Sequence, residues 1–223
     1  MPDHKYSVCG IFPSLQGEGY NSGCPATFIR FAGCNLWSGK DEDRERDSER
    51  NNSLCPLFCD TDFVTGKEDL TASEILDRVL KVSFPSAASG LVVVTGGEPA
   101  LQYDEELHRE LTKRFSVAIE TNGTIKLKVR PSHVTLSPKN LDFILTDCDE
   151  IKVIYPTCDP DAILKKWIEM VTMKSEFKQI PSLFIQPEDG LNYKKNLNEC
   201  VEFLKTNNSW RLSIQIHKIV GVP

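Results

Sequence analysis

The sequence predicts an α/β fold, an open parallel sheet of about six strands covered by helices, and three observations predict it. Short runs rich in apolar and β-branched residues, such as Leu91-Val92-Val93-Val94-Thr95, recur along the chain. Segments with a helical apolar stripe separate them, and strand-helix alternation with near-continuous apolar strands marks a parallel sheet. With 223 residues, the chain is short of the roughly 250 that eight strand-helix units need, so an incomplete barrel or a doubly wound sheet remains. In either, chemistry belongs at the carboxyl ends of the strands.

The strand candidates, in order, are Ala26 to Phe31, Leu91 to Thr95, Val117 to Glu120, His133 to Leu136, Ile151 to Ile154 and Ser182 to Ile185, with a further run at Leu212 to Ile216. The helix from Ala72 to Val82 sets Ile75, Leu76, Val79 and Leu80 on one face behind a Thr71 cap, with Glu74 three residues on. Asp161 to Val171 and Asn192 to Lys205 carry similar stripes. Lys40 to Arg50 holds four basic and six acidic residues, and Glu42 and Arg46 sit at i,i+4 spacing, as on a solvated helix. No repeat, low-complexity segment or linker divides the chain, so a single domain over 1–223 is expected.

Composition excludes several function classes. The net charge is −6 and no basic cluster stands out, which gives a nucleic-acid role little support. No apolar run approaches the roughly 18 residues of a membrane span, and the first 20 residues lack the order of a signal peptide. A cytoplasmic protein is expected, and in that reducing compartment its eight cysteines are metal ligands or buried thiols rather than disulfides.

Cys34, Cys55 and Cys59 cluster in a loop from 34 to 63, after a strand and around the charged insertion 40–50. Three thiolates can hold an iron–sulfur cluster and leave one iron open to a small cofactor. Cys55 and Cys59 enclose three residues, and Cys24 is the other nearby thiol, although it precedes the strand instead of ending it. A tetrahedral zinc site would need a fourth ligand that no CxxC or nearby histidine supplies. Cys9, Cys148, Cys158 and Cys200 are scattered and read as inert thiols. Thr95-Gly96-Gly97-Glu98-Pro99 ends a buried strand in a glycine turn whose backbone can approach a ligand closely.

Several blocks together carry a resemblance. Leu15-Gln16-Gly17-Glu18-Gly19, Arg30 to Gly39, Cys59-Asp60-Thr61-Asp62-Phe63, Thr95 to Pro99, Glu120-Thr121-Asn122-Gly123, Ser137-Pro138-Lys139 and Gln215-Ile216-His217-Lys218 occur in one order over nearly the whole chain. This pattern resembles the 7-carboxy-7-deazaguanine synthases, members of the radical S-adenosylmethionine enzymes. The resemblance implies an incomplete (partial) TIM-type barrel, a homodimer, and a carbon-nitrogen lyase of queuosine and related 7-deazapurine synthesis. Its substrate would be 6-carboxy-5,6,7,8-tetrahydropterin, and its electron donor a flavodoxin or ferredoxin.

The same resemblance implies roles for residues. A 4Fe-4S cluster would be held by Cys34, Cys55 and Cys59, and Mg2+ by the Thr61 hydroxyl. S-adenosyl-L-methionine would meet Phe58, Cys59, Asp60 and Gly97, then Ser137, Pro138 and Lys139, then Gln186, Pro187, Glu188 and Asp189. The substrate would meet Leu15, Gln16, Gly17, Glu18, Arg30, Thr95, Glu120, His217 and the terminal Pro223. Gln16, Glu18 and Glu120 suit a pterin's donor-acceptor edge, and Arg30 suits its carboxylate. Two other classes compete: a glycyl-radical activase of the same superfamily, which leaves the Leu15 to Gly19 block and Arg30 without purpose, and a non-catalytic zinc module, which would be colourless.

Overall fold

The computed structural model describes residues 4–52, 61–84, 90–174 and 179–223. Its centre is a sheet of nine strands among the described residues, in the spatial order β3-β1-β2-β4-β5-β6-β7-β8-β9. β1 (Tyr6–Leu15) pairs antiparallel with β2 (Pro25–Phe31) and with the short β3 (Glu68–Leu70). From β2 onward every pairing is parallel, through β4 (Leu91–Gly96), β5 (Ser116–Thr121), β6 (His133–Leu136), β7 (Glu150–Tyr155), β8 (Ser182–Pro187) and β9 (Trp210–Leu212). β3 and β9 are edges, so the sheet does not close, and the architecture is a partial barrel.

The period-2 alternation of the strands separates two faces. Ile29, Phe31, Val92, Val94, Ile119, Leu136, Ile151, Val153 and Ile185 are all fully buried on one of them. They belong to one apolar core with residues of four helices: Ile75 and Val79 of α2 (Ala72–Val82), Leu107 and Leu111 of α3 (Glu105–Thr112), Ile163 and Trp167 of α4 (Pro160–Met173), and Cys200 of α5 (Tyr193–Thr206). The intervening strand residues point the other way. At the amino ends they are small and apolar, with Ala26, Val93 and Ala118 forming a second cluster. At the carboxyl ends they become Arg30, Thr95, Glu120, Lys152 and Gln186, which line a cavity.

Local signals account for the helices. Thr71 caps α2 by accepting from the Glu74 amide, while Glu74 accepts from the Thr71 amide at 2.8 Å, completing a capping box. Asp104 and Asp159 cap α3 and α4 by accepting from amides of their first turns.

The structure corrects the expected element list. β1, β3 and α3 add to it, and the last strand is Trp210–Leu212 rather than 212–216. Ile216–Val220 is instead a short helix, here α6, that carries His217. The charged insertion is not a uniform solvated helix: Asp41–Asp43 forms a 3-10 turn, and the helix proper is the seven residues Arg44–Arg50. Arg46 pairs with Asp43 and Asp47 rather than with Glu42. Asp47 is buried and accepts the Ser38 amide at 2.7 Å, which ties the insertion to the segment after Cys34. Among the described residues no helix is long and apolar enough to cross a membrane.

Candidate active site

A cavity of about 270 Å³ opens at the carboxyl ends of the parallel strands. One part of its wall is a charged cluster. Lys152 projects from β7 between Ile151 and Val153, which face the apolar core, and it is 2% exposed. Its ammonium donates to Glu18, from the segment after β1, and to Glu120 of β5 at 3.1 Å. The Gln16 amide donates to the second oxygen of Glu120, and the Gln215 amide to the second oxygen of Glu18, both at 2.8 Å. Burial by itself would lower the Lys152 pKa, but Glu120 and Glu18 outweigh it and hold the pKa above the ordinary lysine value. Lys152 is therefore charged, and no sequence pattern singled it out.

Behind this cluster, Glu150 accepts from Thr135 Oγ1 at 2.8 Å and from the Tyr20 amide at 2.7 Å. Burial pushes its carboxyl up, yet His133, Lys152 and these hydrogen bonds prevail and its pKa is lowered. Glu150 thus moors the segment that carries Gln16 and Glu18.

Arg30 occupies another part of the wall. Its guanidinium lies 5.2 Å from the centre of the Phe12 ring, which stacks on Phe28. Its Nε is buried and has no hydrogen-bond partner among the described residues. A strand residue that simply faced solvent would be hydrated there, so the geometry suits an anionic ligand group.

The cysteine loop and the glycine turn are built against each other. The Gly97 amide donates to the Phe31 carbonyl at 3.1 Å, and the Glu98 amide to the Gly33 carbonyl at 2.9 Å. A Cβ on Gly96 would overlap the Phe31 backbone, and one on Gly97 the Gly33 carbonyl. The paired glycines are therefore required by the backbone that leads into Cys34, a reason the glycine motif alone did not disclose. Glu98 is fully buried and accepts from Thr121 Oγ1 and from the amides of Ala100 and Asn122. Burial raises its carboxyl pKa, and these three donors pull against that rise. Asn122 also donates to Asn35, whose own amide donates to Thr124, so the segment after β5 braces the residue next to Cys34.

Cys34 lines the cavity, and the Leu36 amide donates to its sulfur at 3.4 Å. Cys55, Phe58, Cys59 and Asp60 lie outside the described residues. Cys24 is exposed at the opposite end of β2, roughly 20 Å from the Cys34 end at about 3.3 Å per residue, which removes it as an alternative ligand. Thr61 lines the cavity, where its hydroxyl can serve as one oxygen donor to a hard cation.

The remaining expected residues divide clearly. Ser137, Lys139 and the run Gln186 to Asp189 line the cavity, as do Gln16, Thr95, Gly97, His217 and Pro223. Leu15, Gly17 and Pro138 do not line it. Gly17 acts through its neighbour: a Cβ there would collide with the His217 imidazole, and its carbonyl accepts the Ile216 amide at 3.1 Å. The C-terminal segment is held over the site by Lys218, which pairs with Asp189 at 2.5 Å, and by Ser14, whose hydroxyl donates to Pro223.

An open, mostly parallel sheet with a cavity at its carboxyl edge, lined by Cys34 and by several charged side chains, places the chain among the partial-barrel α/β enzymes that transform small molecules. No protein-family model matches it. The chain does belong to the 7-carboxy-7-deazaguanine synthase family. It is 36% identical over 225 residues to the 7-carboxy-7-deazaguanine synthase of Burkholderia multivorans, covering 98% of this chain and 99% of the relative. It is 37% identical over 231 residues to that of Nitratidesulfovibrio vulgaris, with the same coverage. Among solved structures it is similar to QueE from Escherichia coli, with a TM-score of 0.66, 28% identity, and coverage of 95% of this chain and 94% of the other.

Proposed function

We propose that this protein converts 6-carboxy-5,6,7,8-tetrahydropterin to 7-carboxy-7-deazaguanine with loss of ammonia, as a radical S-adenosylmethionine enzyme of queuosine and 7-deazapurine synthesis. The observation that carries the reading is Arg30, whose buried Nε has no hydrogen-bond partner among the described residues, lining the same cavity as the Gln16, Glu18 and Glu120 cluster. A carboxylated pterin needs both: a guanidinium for its carboxylate and hydrogen-bonding groups for its ring edge. A glycyl-radical activase has no use for this pairing.

The residues present fit the cofactors. Cys34, with an amide aimed at its sulfur, would hold the 4Fe-4S cluster together with Cys55 and Cys59. S-adenosyl-L-methionine would lie along Gly97, Ser137, Lys139 and the Gln186 to Asp189 edge, and Thr61 would offer an oxygen to Mg2+. When bound, the cluster and S-adenosyl-L-methionine would supply the radical chemistry, and Mg2+ a charge to orient the substrate. The chain does the rest: Arg30 and the Glu18–Glu120 cluster orient the ring, and α6 with Pro223 limits entry of water. A homodimer, a flavodoxin or ferredoxin donor and a single-domain organisation complete the proposal.

The test is anaerobic reconstitution with iron and sulfide, followed by product analysis with the pterin, S-adenosylmethionine and magnesium. Formation of 7-carboxy-7-deazaguanine is expected. Absence of both that product and 5′-deoxyadenosine overturns the reading, and full turnover after exhaustive magnesium chelation overturns the role of Thr61.

A further inference from the structure

The lysine at position 152 is the least expected side chain of the cavity. It stands on a strand whose neighbours Ile151 and Val153 are fully buried, and burying an ammonium is costly unless it is matched by well-placed carboxylates. Here the match comes from two elements far apart in sequence, Glu18 after β1 and Glu120 at the end of β5, which converge on one nitrogen. The amides of Gln16 and Gln215 steady the outer oxygens of the same two carboxylates. Lys152, Gln16 and Gln215 all donate to this carboxylate pair, and the pair presents acceptors to the cavity.

Removing the ammonium would change the chemistry of the pair. Two like charges facing each other in a poorly hydrated pocket share a proton, and a carboxyl that carries it becomes a donor. We propose that Lys152 is a positioning residue that keeps Glu18 and Glu120 as two acceptor-only carboxylates, so that the cavity selects a ring edge bearing adjacent N–H donors. The ligand class is an amino-oxopyrimidine edge, with an exocyclic amine beside a ring N–H, and a ring with a carbonyl in place of the amine is rejected. This inference rests on the substrate reading above and goes beyond it, because it assigns the selectivity to a residue that need not touch the substrate. Among the described residues, the ionisable groups next to this cluster include Glu150, on the same strand, and His133, which reaches Glu150 from β6 at 3.5 Å. His217 lies against Gly17, next to both cluster residues of the β1 side.

The experiment is equilibrium dialysis, under anaerobic conditions, of the reconstituted protein with S-adenosylmethionine against two probes. These are 6-carboxypterin and 6-carboxylumazine, which differ at the amino group. The wild-type protein is expected to prefer the pterin by about tenfold or more, and its response between about pH 5.5 and pH 7.5, to which the cavity histidine His217 contributes, is the baseline for the variants. Lys152→Met is expected to weaken pterin binding by about tenfold or more, with affinity recovering as pH rises and the shared proton leaves. The double variant K152M/E120Q removes one charge of each sign and carries the test should K152M not fold; it is expected to lose the preference for the amine.

Wild-type affinity with a wild-type pH response in K152M overturns the inference, as does an amine preference that survives in K152M/E120Q. Equal loss for both probes with an unchanged pH response marks a merely structural lysine and overturns it too. A wild-type protein that binds neither probe overturns the substrate reading itself, and the inference with it.

Discussion

Thr121 donates its hydroxyl to Glu98 at 2.6 Å, joining the end of β5 to the glycine turn after β4 inside a fully buried pocket. Because Glu98 also accepts two backbone amides, this one carboxylate organises the turn that holds the start of the cysteine loop. Glu98→Ala leaves three buried donors without an acceptor. The expected cost is about 3 kcal/mol or more, read as a lower denaturation midpoint with an unchanged slope. A midpoint within about 0.5 kcal/mol of wild type would show that the pocket is not what fixes the turn.

Gly97→Ala tests the contact between the turn and the loop. The added methyl meets the Gly33 carbonyl, a backbone atom that cannot swing aside. Destabilisation of about 1–3 kcal/mol is expected, together with a lower iron content per chain after reconstitution, because Cys34 follows Gly33 directly. Iron content equal to wild type would separate the turn from the cluster loop.

Arg30→Lys keeps the charge and removes the fork. A lysine cannot present two parallel N–H groups to a carboxylate, so KM for the pterin is expected to rise by about tenfold or more while the fold is retained. Steady-state kinetics with a melting curve as control decides it. An unchanged KM would place the substrate carboxylate elsewhere.

Acid should loosen the segment that carries Glu18. The pKa of Glu150 is lowered in the folded protein, since His133 and Lys152 outweigh its burial. A depressed carboxyl contributes stability that is present above its unfolded value, about 4.3, and lost as pH falls through the folded value. Glu150→Gln is therefore expected to flatten the acid limb of stability against pH below about pH 4.5, and to lower stability near neutrality by about 1–3 kcal/mol. Parallel acid limbs in the two proteins would refute this role for Glu150.

Much of the fold was legible because its signals are local. The capping box at Thr71 and Glu74 and the apolar run at Leu91 to Thr95 act within a few residues, and both mark real elements. β1 escaped notice because Gly10 and Pro13 interrupt its apolar pattern, and its stability comes from pairing with β2 and β3. α3 carried a readable sign in the Asp104 cap with Leu107 and Leu111 at helical spacing. The terminal strand was displaced toward the chain end because the Ile214-Gln215-Ile216 alternation imitates a strand, whereas Ile216 starts a helix moored to Gly17.

The site divides in the same way. Residue types and their order, in Gln16, Glu18, Arg30, Thr95, Glu120 and the cysteines, announce the chemistry, because a thiolate, a guanidinium or a carboxylate has its character wherever it stands. What those groups become depends on neighbours that chain order does not specify. Lys152 reads in sequence as a polar interruption of an apolar strand, and Glu98 as part of a glycine turn. Only the folded sheet brings Lys152 to Glu18 across 134 positions and sets Glu98 under Thr121 and Asn122. Burial then makes each of those contacts strong, since charges and hydrogen bonds removed from water no longer have a competing partner.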